Sequence, residues 1–212
     1  KMKRKVINNL KIIRANTGEN EHNQKVFVIR GNNLELNNFF FDNYSGSFSN
    51  CLRLENAANI HLNNPRIKNV DGDTGDTYPI LNFNSAYIYI NDYWYGANYP
   101  TSARGYAARH GNYVYFTNCE MNGIDDHFGH NYYIDNCKFT GRGIAYAGSD
   151  MTIRKSEFLN CFSAFSLRFD TPYAEGKLLF DDVDFIGCLR TVELFIQAND
   201  PLNRKFTRDL KL

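Results

Sequence analysis

Leu36-Asn37-Asn38-Phe39-Phe40-Phe41 returns 26 residues later as Leu62-Asn63-Asn64-Pro65-Arg66-Ile67, and an earlier copy is Ile7-Asn8-Asn9-Leu10-Lys11-Ile12. Further copies follow: Ile90-Asn91-Asp92-Tyr93-Trp94-Tyr95, Phe116-Thr117-Asn118-Cys119-Glu120-Met121 and Ile134-Asp135-Asn136-Cys137-Lys138-Phe139. The last two are Ile153-Arg154-Lys155-Ser156-Glu157-Phe158 and Phe180-Asp181-Asp182-Val183-Asp184-Phe185. Aligned at Leu10, Phe39, Pro65, Tyr93, Cys119, Cys137, Ser156 and Val183, successive copies are 29, 26, 28, 26, 18, 19 and 27 residues apart. Each copy alternates apolar residues on both sides of a polar pair. Period-2 alternation means strands, and the polar pair between them means a bend. Unequal steps mean that loop length varies while the strands keep register.

Two more columns recur. Eight residues before the anchor stand Gly31, Ala57, Ser85, Gly111, Gly129 and Gly148, all small, as a tight corner requires. One residue before it stand Asn9, Asn38, Asn64, Asp92, Asn118 and Asn136. Asn tolerates turn geometry, and its amide can bond the copies above and below. Helical periodicity is absent, and so is the LxxLxL phrase of leucine-rich repeats. The pattern therefore predicts an all-β, right-handed parallel β-helix of about eight coils, since parallel crossovers are right-handed in about 98% of cases. Each coil carries three strands, stacked about 4.8 Å from the next coil.

The chain has 212 residues, and it reads as one domain over 1–212 and as a piece of a longer protein. With 24 Lys and Arg against 23 Asp and Glu, the net charge of +1 argues against nucleic-acid binding through bulk charge. The cluster Lys1, Lys3, Arg4, Lys5 reads as a solvated end. No apolar run is long enough to insert in a membrane, and no signal peptide is legible. The five cysteines lack CxxC spacing. Cys119 and Cys137 share one inward column and Cys161 and Cys188 another, so they read as buried small hydrophobes.

The Asn column resembles the asparagine ladder of the pectate-lyase-like β-helix superfamily, and the resemblance covers nearly the whole chain. Arg109-His110-Gly111-Asn112 and Gly123-Ile124-Asp125-Asp126-His127-Phe128-Gly129-His130 look most like the β-helices of phage tailspikes and related polysaccharide depolymerases. The resemblance implies a polysaccharide as partner, carbohydrate chemistry on the outer face of the first sheet, a homotrimer, and an extracellular or virion tail setting. Two family patterns are incomplete. The aspartate cluster of calcium-dependent pectate lyases is represented only by Asp125, and Asp125-Asp126-His127 matches the polygalacturonase phrases only in part.

Alternation along the first strand of each coil sends Leu52, Leu54, Ile124 and Asp126 inward. It sends Glu55, Phe83, Arg109, Asp125, His127, Tyr146 and Arg168 outward, a mixture of charged, aromatic and titratable groups suited to a sugar groove. The short steps are expected to leave the sheet bare around His127 and Tyr146, between walls raised by the insertions at 71–79, 96–105 and 170–176. A lyase acting on a uronic-acid polymer needs a cation for the carboxylate, a base and an acid. Arg109 or Arg168 would supply the first, and His127 and Tyr146 the others. A hydrolase needs two carboxyls about 5–5.5 Å apart if retaining, or about 6.5–9.5 Å if inverting. Asp125 and Asp170, two coils apart at roughly 9.6 Å, sit at the edge of that range, whereas Glu55 at roughly 14 Å from Asp125 is too far. Both chemistries remain open, with the lyase ahead.

Trp94 is expected to face outward from the third strand, where its ring would stack on a sugar. Tyr87 and Tyr89 should face out from the second strand, with Tyr93 and Tyr95 in the core. His110 and His130 flank the small-residue corner and lack a third ligand for a metal, so they read as groove-rim residues. No cofactor is expected. Asp71, Asp73 and Asp76 alternate in the manner of calcium ligands but without EF-hand spacing, so an acidic solvated loop is the preferred reading.

Overall fold

A computed structural model of the chain describes residues 3–14, 25–43, 50–68, 78–96, 104–167, 176–194 and 209–211. The described residues contain strands and turns and no helix. All strand pairings are parallel, and for most of the chain each strand pairs with the third one after it, an arrangement consistent with a β-helix or solenoid. The middle strand of successive rungs shows the rule. Lys5–Asn8 pairs with Asn32–Asn37, which pairs with Ala58–Asn63, then Ala86–Asn91, then Asn112–Thr117. The first face runs through Asn50–Glu55, Ile80–Phe83 and Tyr106–Arg109. It continues into the long strands Glu120–Asp135 and Lys138–Gly148, and then Phe165–Leu167.

The Asn column makes this stacking possible. Asn9, Asn38, Asn64, Asp92, Asn118 and Asn136 all have φ between 52° and 58°, a left-handed corner that most L-residues resist. Their side chains then bond rung to rung: Asn38 Nδ2 to Asn9 Oδ1 at 2.9 Å, Asn64 to Asn38 at 2.9 Å, and Asn136 to Asn118 at 2.7 Å. A second ladder lies one residue earlier, in which Asn37 donates to Asn8, Asn63 to Asn37 and Asn91 to Asn63, at 2.8–2.9 Å. The corner amides join in, with Asn64 N donating to Asn91 O at 2.8 Å and Asp92 N to Thr117 O at 2.9 Å.

Inside, the same register stacks like on like. Leu36, Leu62, Ile90, Phe116 and Ile134 form one buried column, and Phe139, Phe158 and Phe185 stack with centroids 4.9 and 5.2 Å apart. Each fully buried Leu or Phe contributes about 1.5–3 kcal/mol. Tyr93, Tyr95, Cys119, Cys137 and Cys161 are core residues as their columns require. Cys188 is half-buried. Burial pushes the Cys161 thiol up to about 12, so at neutral pH it is a protonated, poorly nucleophilic group.

Asn64→Ala should destabilise the fold by about 2 kcal/mol, from left-handed strain plus one lost hydrogen bond, measured by urea unfolding. Asn64→Gly should recover roughly half of that loss, because Gly adopts this φ freely. Equal losses in the two variants would show that the corner conformation is not what Asn64 secures.

Candidate functional site

The outer face of the first sheet carries two columns. Pairing places Arg53, Leu81, Ala107, Asp125, Ala145 and Ser166 in one, and Glu55, Phe83, Arg109, His127 and Ala147 in the other. Glu55, Phe83, Arg109 and His127 therefore align as expected from alternation. Tyr146 does not. The rungs of Glu55, Phe83, Arg109 and His127 each place a left-handed residue, Asn56, Asn84, His110 or Phe128, before the small corner residue, whereas Ala147 and Gly148 are adjacent, so His127 pairs with Ala147 and Asp126 with Tyr146. Counting back from the corner glycine overlooks the residue that this rung lacks, and a one-residue slip moves a side chain to the opposite face. Tyr146 is fully buried, its ring edge-on to Tyr132 at 5.5 Å and its hydroxyl donating to the Gly129 carbonyl at 3.1 Å and to that of Ser149. It cannot reach substrate as an acid.

The bare floor is also corrected. Asp125 is only 3% exposed, and Ala145, Ala147 and Ser166 are buried too. Two side chains that sequence reasoning missed reach over Asp125. Tyr78 donates its hydroxyl to Oδ2 at 2.6 Å, and Arg104 Nη1 meets the same oxygen at 3.2 Å. The other oxygen, Oδ1, lies 3.8 Å from His127 Nε2, within ion-pair range of a charged ring. Tyr78 and Arg104 each stand two residues ahead of paired strand positions, Ile80 and Tyr106. That offset is the signal by which the sequence could have revealed them. The result is a buried carboxylate held by a phenol and a guanidinium, beside an imidazole whose side chain is 27% exposed. Arg109, one rung away in the His127 column, is exposed.

Asp126, next in the chain, points into the core and is fully buried. Its carboxylate fills the space above Gly129, where an added Cβ would come within 1.5 Å of Oδ2. Burial, and then the nearby Asp126 charge, holds the Tyr132 phenol well above its ordinary range; both causes also raise Tyr106, whose hydroxyl accepts from Asn82 at 2.9 Å. The peptide carrying Asp125 is thus anchored from inside by its neighbour and from outside by Tyr78 and Arg104.

The remaining expected residues divide. Glu55 is held by two cations, Arg30 at 2.6 Å and Arg53 at 2.5 Å, which satisfies its charge within the protein. Phe83 lies under the Arg53 guanidinium at 5.4 Å. His110 stacks on Phe128 with centroids 4.7 Å apart, and His130 Nδ1 bonds Ser149 Oγ at 2.6 Å, so both brace the corner beside the site. Trp94 is half-buried on the third face between Arg66 and Lys68, at 5.9 and 5.8 Å, far from Asp125 in the rung. Arg168, Asp170, Asp71, Asp73 and Asp76 lie outside the described residues.

Tyr78→Phe should cost about 1.5 kcal/mol, the scale of a hydrogen bond to a charged group, and Asp125→Ala about 3 kcal/mol by stranding Arg104. Both are read by urea unfolding, and additivity of the two would show that the phenol and carboxylate do not interact. Comparison of the chain with protein-family models, with curated proteins and with solved structures finds no match, so the functional reading rests on the chemistry of this cluster.

Proposed function

We propose that the chain is a right-handed parallel β-helix of about eight coils, of the pectate-lyase-like kind, that binds and cleaves an acidic extracellular polysaccharide. The observation that carries the reading is the His127 imidazole, open to water on one side and backed on the other by the buried Asp125 carboxylate. A proton on Nε2, on the side of Asp125, leaves the Nδ1 lone pair as the base. Arg109 offers a cation in the same column to neutralise a uronate carboxylate. With that charge neutralised, His127 removes the proton adjacent to the carboxylate, a carbon–carbon double bond forms, and the bond to the leaving oxygen breaks. The protonated imidazole then returns its proton to that oxygen, a role that Tyr146 cannot take. Arg104 and Tyr78 act through Asp125, by fixing its position.

The parent molecule is proposed to be a homotrimer at a cell surface or virion tail, on the strength of the same resemblance. A second reading, a receptor-binding or structural β-helix that does not cut, is favoured by one observation: Asp125 is almost sealed under Tyr78 and Arg104.

Incubation with a panel of acidic capsular polysaccharides separates the two. The lyase reading expects ultraviolet absorbance from an unsaturated product, reduced at least about a hundredfold in rate by His127→Ala. Reducing ends without that absorbance would make the enzyme a hydrolase. Binding without either product would leave the receptor-binding reading.

A further inference from the structure

The outer column of the third face, read rung by rung, is Lys11, Phe40, Arg66 and Trp94, and then Glu120. Cation and ring alternate, so Phe40 and Trp94 stand two rungs apart, about 9.6 Å along the axis. Lys68 lies in the neighbouring column on the Arg66 rung, and its ammonium is 5.8 Å from both ring centroids. Lys11 lies 5.5 Å from the Phe40 centroid, and Arg66 5.9 Å from that of Trp94. These separations are near the outer limit of about 6 Å for a cation–π contact, so the charges flank the rings more than they cap them.

Among the described residues no carboxylate pairs with Lys11, Arg66 or Lys68. All three are exposed, and Arg66 commits only its Nε, which donates to Asn64 Oδ1 at 3.0 Å. Asp42, one rung from Lys68 in the same column, is buried and forms no ion pair with it. The rings are uncovered in a different sense. No aromatic ring among the described residues stacks on Phe40 or Trp94, whereas Tyr89 and Tyr115 on the second face stack at 4.7 Å. Gly96 sets the attitude of the Trp94 indole. A Cβ at Gly96 would meet Cη2 at 2.2 Å, and Cζ2 and Cζ3 at 2.7 and 2.8 Å. Three ring atoms at such similar distances lie above that position and not edge-on to it. The indole therefore lies flat over the bare glycine, with its other face turned away from the sheet.

Pyranose rings stack their apolar faces on aromatic rings, and carboxylates bond to ammonium and guanidinium groups. The spacing of Phe40 and Trp94 is the span of a disaccharide, with cations on the rung between them. We infer that this stretch of the third face is a second saccharide site, for an acidic oligosaccharide that runs along the axis with one carboxylate per disaccharide. The uncharged sugars rest on Phe40 and Trp94, and the uronates meet Lys11 and the pair Arg66 and Lys68. Beyond Trp94 the column continues as Glu120, Lys138, Glu157 and Asp184, on balance acidic. That sign opposes a nucleic acid, which carries a charge on every nucleotide, and it ends the site at Trp94. The inference shares the class of polymer with the reading above and is independent of the chemistry at His127, which lies on a different face.

Trp94 is the only tryptophan in the chain, so its fluorescence under tryptophan-selective excitation reports on the site directly. Titration with hexasaccharides of hyaluronan and desulfated chondroitin should change that emission to saturation, and neutral maltohexaose should not. Lys68→Gln should weaken binding about tenfold, the loss of one charge-assisted hydrogen bond. Gly96→Ala should weaken it about as much, by tilting the indole off the sheet without removing any group that meets the ligand. Lys138→Gln, beyond Glu120 in the same column, should leave binding unchanged. No response to either acidic probe, an equal response to maltohexaose, or equal weakening by Lys138→Gln would overturn the inference. So would tighter binding of a thymidylate hexamer, which would assign the face to single-stranded nucleic acid. Emission that tracks protein concentration, with a dimer in light scattering, would instead assign it to a second copy. A response kept in His127→Ala, in a protein that cuts no polymer, would sink the catalytic reading and leave this site standing. Cleavage of a polymer with an unresponsive Trp94 would do the reverse.

Discussion

Everything in this molecule depends on one geometric demand: each rung must lie on the next in parallel register, about 4.8 Å away, at every corner as well as in every strand. A parallel sheet leaves its backbone groups bonded only to neighbouring rungs, so a corner that failed to superpose would strand donors and acceptors across the stack. The left-handed Asn corner meets this demand with one residue type. Its backbone turns sharply, its amide nitrogen bonds the next rung's carbonyl, and its side chain bonds the neighbouring Asn. The apolar columns follow from the corner, because a fixed register brings Leu36 over Leu62 and Phe139 over Phe158 without separate instruction.

This dependence explains what was legible in the sequence. The Asn phrase announces the corner directly, and from it the strands, the inward cysteines and the outward order Glu55, Phe83, Arg109, His127 all follow by counting. The count failed at Tyr146 because its corner lacks the residue that Asn56, Asn84, His110 and Phe128 supply in earlier rungs, and alternation turns an error of one into an error of face. Tyr78 and Arg104 were missed for a different reason. They belong to turns that enter earlier rungs, 47 and 21 residues from Asp125, and nothing local to the Asp125-Asp126-His127 phrase reveals what folds over it. The covered floor has the same origin: short steps bound the length of a rung's own loop, not the reach of side chains from its neighbours.

The second face shows that exposed aromatic residues on such a scaffold need not be a binding platform. His61, Tyr89, Tyr115 and Tyr133 stack rung on rung at 4.4, 4.7 and 5.0 Å, and Tyr87 on Tyr113 at 4.9 Å with planes 1° apart. In such a column the faces of Tyr89 and Tyr115 are covered by neighbours, and a sugar would meet only ring edges. Tyr87 and Tyr113 even take φ of +56° and +52°, in a column that holds Asn33, Asn59 and Asn131 elsewhere. Tyrosine is strained there, and ring stacking of about 0.5–1.5 kcal/mol per pair offsets part of that cost. Crowding of the phenols also shows in Tyr115, held above its ordinary range by burial and by the tyrosines around it.

Repetition and chemistry therefore occupy different parts of the surface. Where successive rungs agree, side chains spend their polar and aromatic capacity on each other, as Asn on Asn and Tyr on Tyr. Where rungs disagree, that mutual satisfaction is interrupted. The residue missing between Ala147 and Gly148 ends the corner column at Phe128, beside His127, and the turns before Ile80 and Tyr106 send Tyr78 and Arg104 across to Asp125. A solenoid confers reach along its axis but little local variety, so specific recognition has to be placed at its irregularities. On this chain those irregularities bracket the first face, at its entry before Ile80 and Tyr106 and at its exit beside His127.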